Sequence, residues 1–129
     1  MDPVAQIVRV DDQGSIYKAI HLWCPGCEIT DPDDHKHGGL KMLPVEGDKE
    51  KRPTWDWNGD LVRVTLQPSI LTKTTRGEDK AEFVCHSYLT DGVWRFLSDC
   101  THSLANQMVP IVPLPDWIIR DGRDRNSPS

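Results

Sequence analysis

The positions of the four cysteines constrain this chain more than any other feature. Cys24 and Cys27 form a Cys-Pro-Gly-Cys turn, and Cys85 and Cys100 lie in a second segment that ends at His102. A Cys-x-x-Cys turn directs two sulfurs at one ion, and a distant second pair can complete the tetrahedron that zinc accepts from thiolate and imidazole. The spacing therefore predicts a metal site, with Zn²⁺ as the ion.

The second cysteine segment reads as a β-hairpin. Asp91-Gly92 is a two-residue turn signal between the β-prone runs Phe83 to Leu89 and Val93 to Leu97. Folding this hairpin brings Cys85 towards Cys100. Because side chains alternate along a strand, Cys85 and His86 are expected to face opposite sides of the sheet and to have different roles.

Disulfide bonds and redox chemistry fit the cysteines less well than a metal site does. Disulfides are typical of secreted proteins, and the opening Met1-Asp2-Pro3 resembles a cytoplasmic start without a signal segment. A redox Cys-x-x-Cys normally lies where a strand enters a helix, whereas the polar run from Thr30 to Asp34 predicts a loop after Cys27.

Composition predicts a small, turn-rich α+β domain that is mostly β, built from antiparallel hairpins. The chain has 129 residues with ten prolines and nine glycines, and Val4 to Val10 and Ile16 to Trp23 read as an opening hairpin. One short helix is predicted at Ser103 to Gln107. We expect one domain over residues 1–119, held by the zinc site, and a disordered tail over 120–129.

Charge and hydropathy exclude some partners. The net charge of −5 argues against a nucleic-acid-binding surface, which needs clustered Lys and Arg. No apolar run is long enough to cross a bilayer, so we expect a cytoplasmic protein that binds no membrane.

Thr54 to Asp60 is the other unusual stretch. Trp55 and Trp57 have strand spacing and face the same way, and Asn58 opens an Asn-Gly turn. The tryptophans predict either a wall of the core or the floor of a groove for an extended peptide, with Asn58 beside it. Among the histidines outside the cysteine segment, His21 fits a packed strand position, and the polar stretch that holds His35 and His37 fits a solvated loop.

Taken together, these motifs resemble a small family of phage and bacterial proteins. The resemblance lies in Trp23 to Cys27, Trp57 to Asp60, Gln67 to Ile70, Cys85 to Tyr88 and Phe96 to Leu104. Members are sometimes labelled ammonia monooxygenase, which nothing in this sequence supports. Bacterial members are encoded beside ubiquitin-like modifiers and their conjugating enzymes and are regarded as candidate peptidases, with a link to bacterial defence. The resemblance implies a zinc-dependent peptidase, a hydrolase that processes or deconjugates a ubiquitin-like protein tail.

The residues permit more than one arrangement of such a site. Zinc held by Cys24, Cys27 and Cys100, with Cys85 or His102 as fourth ligand, leaves His86 and Asp99 as acid-base candidates. If all four cysteines bind the ion, the site is closed and structural. Catalysis would then need a Ser87 or Cys85 nucleophile, activated by His86 or His102 and oriented by Asp99. The alternative from a different class is a non-catalytic, zinc-stabilised module that binds a protein or peptide.

Overall fold

The computed structural model describes residues 3–30, 38–76 and 79–126. Within these ranges the chain forms eight strands and two helices. In chain order they are β1 (Gln6–Asp12), β2 (Ser15–Trp23), α1 (Pro25–Thr30), β3 (Leu40–Glu46), β4 (Asp56–Trp57), β5 (Leu66–Arg76), β6 (Ala81–Thr90), β7 (Val93–Phe96), β8 (Met108–Pro110) and α2 (Asp116–Asn126).

The strands form two antiparallel sheets. One sheet has the order β1-β2-β3, and the other has the order β4-β5-β6-β7-β8. Neighbours in the sheets are also neighbours in the chain, as expected when hairpins build the fold. The predicted fold class, mostly β with antiparallel hairpins, is confirmed.

Tight turns at two of the predicted hairpins have the expected left-handed backbone. Gln13 and Gly14 join β1 to β2 with φ of 52° and 90°, and Asp91 and Gly92 join β6 to β7 with φ of 52° and 74°. Positive φ at both central residues matches the right-handed twist of the flanking strands. The first turn sets the register between β1 and β2, and the second sets the register between β6 and β7.

The core lies between the two sheets. Ile20 and Leu22 of β2 share one buried cluster with Leu66, Leu89 and Trp94 of the larger sheet. Along β6, buried residues alternate with more exposed ones from Phe83 to Thr90, so one face of this strand meets the core and the other faces outward. Cys24, Cys27 and Cys85 belong to the same buried cluster.

The helices differ from the prediction. Residues 103–106 form turns rather than a helix, because Asn106 adopts a left-handed φ of 65° that ends the helical path. Helix α1 covers the cysteine turn itself, and Pro25 is well suited to its first position. Of the run from Thr30 to Asp34, where a loop was predicted, only Thr30 lies within the described residues, as the last residue of α1.

Helix α2 (Asp116–Asn126) includes residues 120–126 of the stretch 120–129 for which we predicted a disordered tail, and residues 127–129 lie outside the described ranges. Its buried residues Ile118 and Gly122 are spaced i, i+4 and so lie on one face. Gln6 of β1 anchors that face, because its amide donates to the Ile118 carbonyl at 2.7 Å. In the part of the chain described here, neither helix is long and apolar enough to span a membrane.

Candidate active site and cysteine cluster

Three polar side chains form a continuous hydrogen-bonded series on the outward face of the larger sheet. The Nε2 atom of His86 lies 3.0 Å from the Ser69 hydroxyl, and its Nδ1 atom lies 3.0 Å from a carboxylate oxygen of Asp99. The His86 side chain is 25% exposed and that of Asp99 is 55% exposed. A serine, a histidine and an aspartate in this order are the parts of a serine-protease triad.

An irregularity in β5 brings Ser69 to His86. Leu66 pairs with Leu89 and Ile70 pairs with Ser87, so β5 has three intervening residues where β6 has one. This bulge includes Ser69. Because Ile70 and Ser87 face the core as a pair, the residues next to them, Ser69 and His86, face outward together.

The turn after β7 places Asp99. The backbone N–H of Leu97 donates to the His86 carbonyl at 2.9 Å, and that of Thr101 donates to the Val84 carbonyl at 2.9 Å. The Thr101 hydroxyl also accepts from the Val84 N–H at 3.0 Å. The turn is therefore attached to β6 on both sides of Asp99.

An open depression of about 550 Å³ adjoins the His86–Asp99 pair. Its lining residues are His86, Arg95, Phe96, Leu97, Ser98, Asp99, Asn106 and Met108. Apolar side chains on the strands around it are solvent-exposed, namely Leu71, Tyr88 and Met108. The site is accessible to a protein segment from solvent.

Ser87 and Cys85 do not meet the His86 ring. Both are 1% exposed and face the core, on the side of β6 opposite His86. The structure thus brings together His86 and Asp99 as expected, but with Ser69 in place of the predicted Ser87. The motif from Gln67 to Ile70 contains Ser69, but sequence reasoning did not assign it a role because the β5 bulge that aligns it with His86 forms only in the folded sheet.

The tryptophan segment packs against the core beside Ser69. Trp55 and Trp57 are partly buried against the main cluster, and the Trp55 indole donates to the Ser69 carbonyl at 3.3 Å. Trp57 donates to the Asp60 carbonyl at 3.0 Å, and the Asn58 side chain holds the following loop by donating to the Arg63 carbonyl at 2.9 Å. Their predicted role in substrate binding stays a prediction, while the structure assigns them a place in the wall of the fold.

The cysteines gather on the core side of the sheet. Cys24, Cys27 and Cys85 form one group, and Cys85, Cys100 and His102 form another; within each, the candidate ligand atoms lie within 4.8 Å of one another. The Cys24 and Cys85 sulfurs are 3.7 Å apart. Zinc–sulfur bonds of about 2.3 Å give tetrahedral edges of about 3.8 Å, so this separation fits a shared ion. The gathering of cysteines that could hold a metal was predicted.

Electrostatics around the cysteines favour a thiolate. Hydrogen bonds from Cys24 and Cys85 and the charge of Lys41 lower the pKa of Cys27, despite its burial. The pKa of Cys85 is raised by its hydrogen bonds to Cys24 and Cys27 and by burial. Lys41 is itself 8% exposed, and a buried ammonium is stabilised by a neighbouring anion.

Local structure holds the cysteine turn in place. The Cys24 N–H donates to the Gly39 carbonyl at 2.7 Å, and Glu28 N–H donates to the Cys24 carbonyl at 3.1 Å as the first bond of α1. The Cys-x-x-Cys therefore lies at a strand-to-helix junction, the position expected of a redox Cys-x-x-Cys. It does not form a βαβ unit, because β3 pairs antiparallel to β2.

The histidines outside the triad have separate positions. His102 is buried at the cysteine cluster, with Nε2 3.3 Å from the Cys85 sulfur. His21 is buried in β2, where its Nδ1 atom lies 3.1 Å from the Gln6 amide nitrogen, as expected of a packed strand residue. His35 and His37 lie outside the described residues.

The two sites are suited to different chemistry. On the outward face, His86 can accept the Ser69 hydroxyl proton, and Asp99 can hold the ring in the required tautomer. On the core side, buried thiols can hold a metal ion away from solvent.

Comparison with known proteins gives one family. A profile of the family described as bacterial ubiquitination-like system serine protease (BubE) matches residues 2–97. The matched range contains Ser69, His86 and three of the four cysteines, and it ends just before Asp99. No curated protein and no solved structure matches the chain significantly.

Proposed function

Because the chain belongs to the BubE family, described as serine proteases of a bacterial ubiquitination-like system, we propose that it is a serine peptidase. Ser69 is the nucleophile, His86 the general base and Asp99 the group that orients His86. The observation that carries this proposal is the series Ser69–His86–Asp99, with 3.0 Å at both contacts. This replaces the zinc-activated water suggested by the motifs with a serine nucleophile.

The reaction follows from the geometry. The Ser69 oxygen attacks the scissile carbonyl carbon while His86 Nε2 takes the hydroxyl proton. His86 then returns this proton to the departing amine, the peptide C–N bond breaks, and an ester to Ser69 remains. Water attacks the ester with His86 again as base, which releases the carboxylate and restores the serine. Asp99 stays ionised and stabilises the imidazolium in both steps.

The proposed substrate is the tail of a ubiquitin-like protein. The family description supports a protein substrate within a ubiquitination-like system. The open depression and the exposed Leu71 and Tyr88 beside the triad suit an extended segment that approaches from solvent. A broad, shallow site of this kind is better matched to a protein tail than to a small molecule, for which enclosed pockets are typical.

For the cysteine cluster we propose Zn²⁺ as the ion. The donor set supports it: thiols with a sulfur separation of 3.7 Å, a nearby imidazole and burial on the core side of β6. When bound, the ion supplies a cross-link between the two sheets and a positive charge that stabilises the thiolates.

Fluorophosphonate labelling tests the nucleophile directly. The intact protein should form one covalent adduct, located at Ser69 by peptide mass spectrometry, and should cleave a fusion joined through the tail of a ubiquitin-like protein. Ser69→Ala should abolish labelling and lower cleavage by about 10⁴-fold or more, because the other groups then lack a nucleophile.

Ser87→Ala is the matched control, since Ser87 is next to His86 in the chain but faces the core. This variant should label and cleave as the wild type does. An adduct at Ser87, or a folded protein that neither labels nor cleaves, would rule out the Ser69 peptidase and favour a non-catalytic binding module.

A further inference from the structure

We propose that a metal ion held by all four cysteines positions the His86–Asp99 pair from the opposite face of the sheet. The inference rests on the proposed function, in which His86 is the general base and Asp99 orients it. It assigns the ligands as Cys24, Cys27, Cys85 and Cys100, and it makes His102 a hydrogen-bond donor to a ligand rather than a ligand itself.

The hydrogen bonds of His102 argue against its binding the ion. The Leu104 backbone N–H donates to His102 Nδ1 at 3.2 Å, so the proton of the neutral ring is on Nε2. That Nε2–H points at the Cys85 sulfur at 3.3 Å. Donation to a thiolate satisfies this geometry, whereas ligation through Nε2 would require a lone pair there.

Packing fixes the His102 ring in this orientation. The edge-to-face contact with Phe96 has a centroid separation of 4.9 Å. On another side the ring lies against Gly26, where an added Cβ would come within 2.5 Å of Nε2. The ring therefore has little room to turn its other nitrogen towards the cysteines.

Cys100 is directly connected to the backbone of the base. Its sulfur accepts from the His86 N–H at 3.2 Å, and as a thiol it donates to the His86 carbonyl oxygen at 3.2 Å, a proton that a bound ion would replace. Backbone N–H groups commonly stabilise charged sulfur, so the donation from His86 suits a metal-bound thiolate. Cys85 belongs to both groups of candidate ligands, whereas Cys100 is not within 4.8 Å of both Cys24 and Cys27. One ion bound by all four sulfurs would therefore draw Cys100, and with it the turn that holds Asp99, towards the Cys24–Cys27 pair.

Charge at the cluster also suits four thiolates. Four thiolates and one Zn²⁺ leave a net charge of about −2, which is costly in a buried site unless compensated. Lys41 lies close enough to Cys27 to interact with its sulfur, and the His102 Nε2–H adds a second donor.

The cross-link runs beside the catalytic pair. Cys85 precedes His86 in the chain, and Cys100 follows Asp99. An ion joining the two sulfurs therefore fixes the distance between β6 and the turn on the core side, while His86 and Asp99 meet on the outward side. The metal ligands act as positioning residues, because none of them touches the proposed substrate.

The test compares Cys100→Ser with His102→Gln in the intact chain. Metal content and the spectrum of the cobalt-substituted protein count the thiolate ligands, and circular dichroism checks the fold. The His86 Nδ1–H proton, observed by NMR, reports its hydrogen bond to Asp99 without any substrate. The rate of fluorophosphonate labelling reports the reactivity of Ser69.

We expect a four-thiolate cobalt spectrum in the wild type and in His102→Gln. Cys100→Ser should lose one thiolate, lose the NMR signal and label about 10²-fold more slowly, as a misplacement of about 1 Å would cause. Ser103→Ala, just after His102 and with an exposed side chain, is the matched control and should keep the four-thiolate spectrum. A wild-type spectrum with a nitrogen ligand that disappears in His102→Gln would overturn the ligand assignment.

The positioning role would be overturned if Cys100→Ser without metal labelled at the wild-type rate and kept the NMR signal of His86. If Cys100→Ser does not fold, wild-type protein loaded with Cd²⁺ replaces it. Bonds from Cd²⁺ to sulfur are longer than those from Zn²⁺ and should shift the turn that holds Asp99. Labelling should then slow while the circular dichroism spectrum stays unchanged, and an unchanged labelling rate would count against the proposal. A wild type that never labels refutes the peptidase instead, while the cobalt spectrum and the NMR signal still test the metal's role.

Discussion

At the scale of single residues, the orientation of His86 depends on one partly exposed carboxylate. Asp99 contacts Nδ1 at 3.0 Å, and in the proposed mechanism it selects the tautomer with a free Nε2. Asp99→Asn retains the shape but can donate its amide proton to Nδ1, which favours the wrong tautomer. We expect cleavage to fall by about 10²–10⁴-fold with little change in stability, measured as kcat/KM on a tail fusion.

Asp91→Asn is the matched control for this substitution. Asp91 is exposed in the β6–β7 turn with φ of 52°, a conformation that Asn tolerates well. Activity of Asp91→Asn should equal that of the wild type. If Asp99→Asn were equally active, the carboxylate would have no role in orienting the base.

The residues of the candidate site were predictable to different degrees. His86 and Asp99 lie in the hairpin that the cysteine spacing and Asp91-Gly92 already indicated, so their proximity followed from local signals. Ser69 is far from them in the chain and meets His86 only because β5 contains additional residues opposite β6. Pro68 indicates a kink at this point, since proline cannot donate to a central ladder, but which residues the kink brings together depends on the packing of the whole sheet.

At the scale of elements, the contact between helix α2 and the smaller sheet should be sensitive to pH. One Gln6 amide hydrogen is donated to the Ile118 carbonyl, so the other meets Nδ1 of the buried His21. Burial lowers the pKa of His21, an effect that the charge of Asp121 partly offsets. His21 therefore binds a proton more readily in the unfolded chain than in the folded one.

The expected result is a loss of stability on acidification. The ordinary pKa of histidine is about 6.5. As pH falls below this value, the free energy of unfolding should decrease, and the decrease should end once pH is below the lowered pKa of His21 in the folded chain. His21→Asn keeps an acceptor for Gln6 without a titrating ring and should show a flatter profile between pH 7 and 5. Urea unfolding of both proteins across this range measures the difference, and parallel profiles would contradict the assignment.

The strands were more predictable than the helices for a physical reason. Alternating apolar residues and two-residue turns are local signals, and they identified the β1–β2 and β6–β7 hairpins. Helix α2 is rich in Asp and Arg, has a single buried large side chain, Ile118, and is stabilised by docking on β1. Its sequence resembles a solvated tail until that docking surface is known.

At the scale of the whole molecule, the cysteine cluster connects the two sheets. Cys24 and Cys27 follow β2 of the smaller sheet, whereas Cys85 belongs to β6 of the larger one. An ion that binds only the folded arrangement stabilises it by about 4 kcal/mol when free metal exceeds the dissociation constant a thousandfold. The buried core shared by the sheets should still allow the metal-free chain to fold.

Metal removal should therefore lower the melting temperature without abolishing the fold. For a domain of 129 residues, a loss of about 4 kcal/mol corresponds to a decrease of roughly 10–20 °C. Calorimetry before and after chelation measures it, and restoring Zn²⁺ should return the original transition. Protein saturated with Zn²⁺ beyond the chelator's capacity is the control for effects of the chelator itself. Equal melting temperatures with and without metal would mean that the cluster does not link the two sheets, because a bound ion that spans them must be lost when they separate.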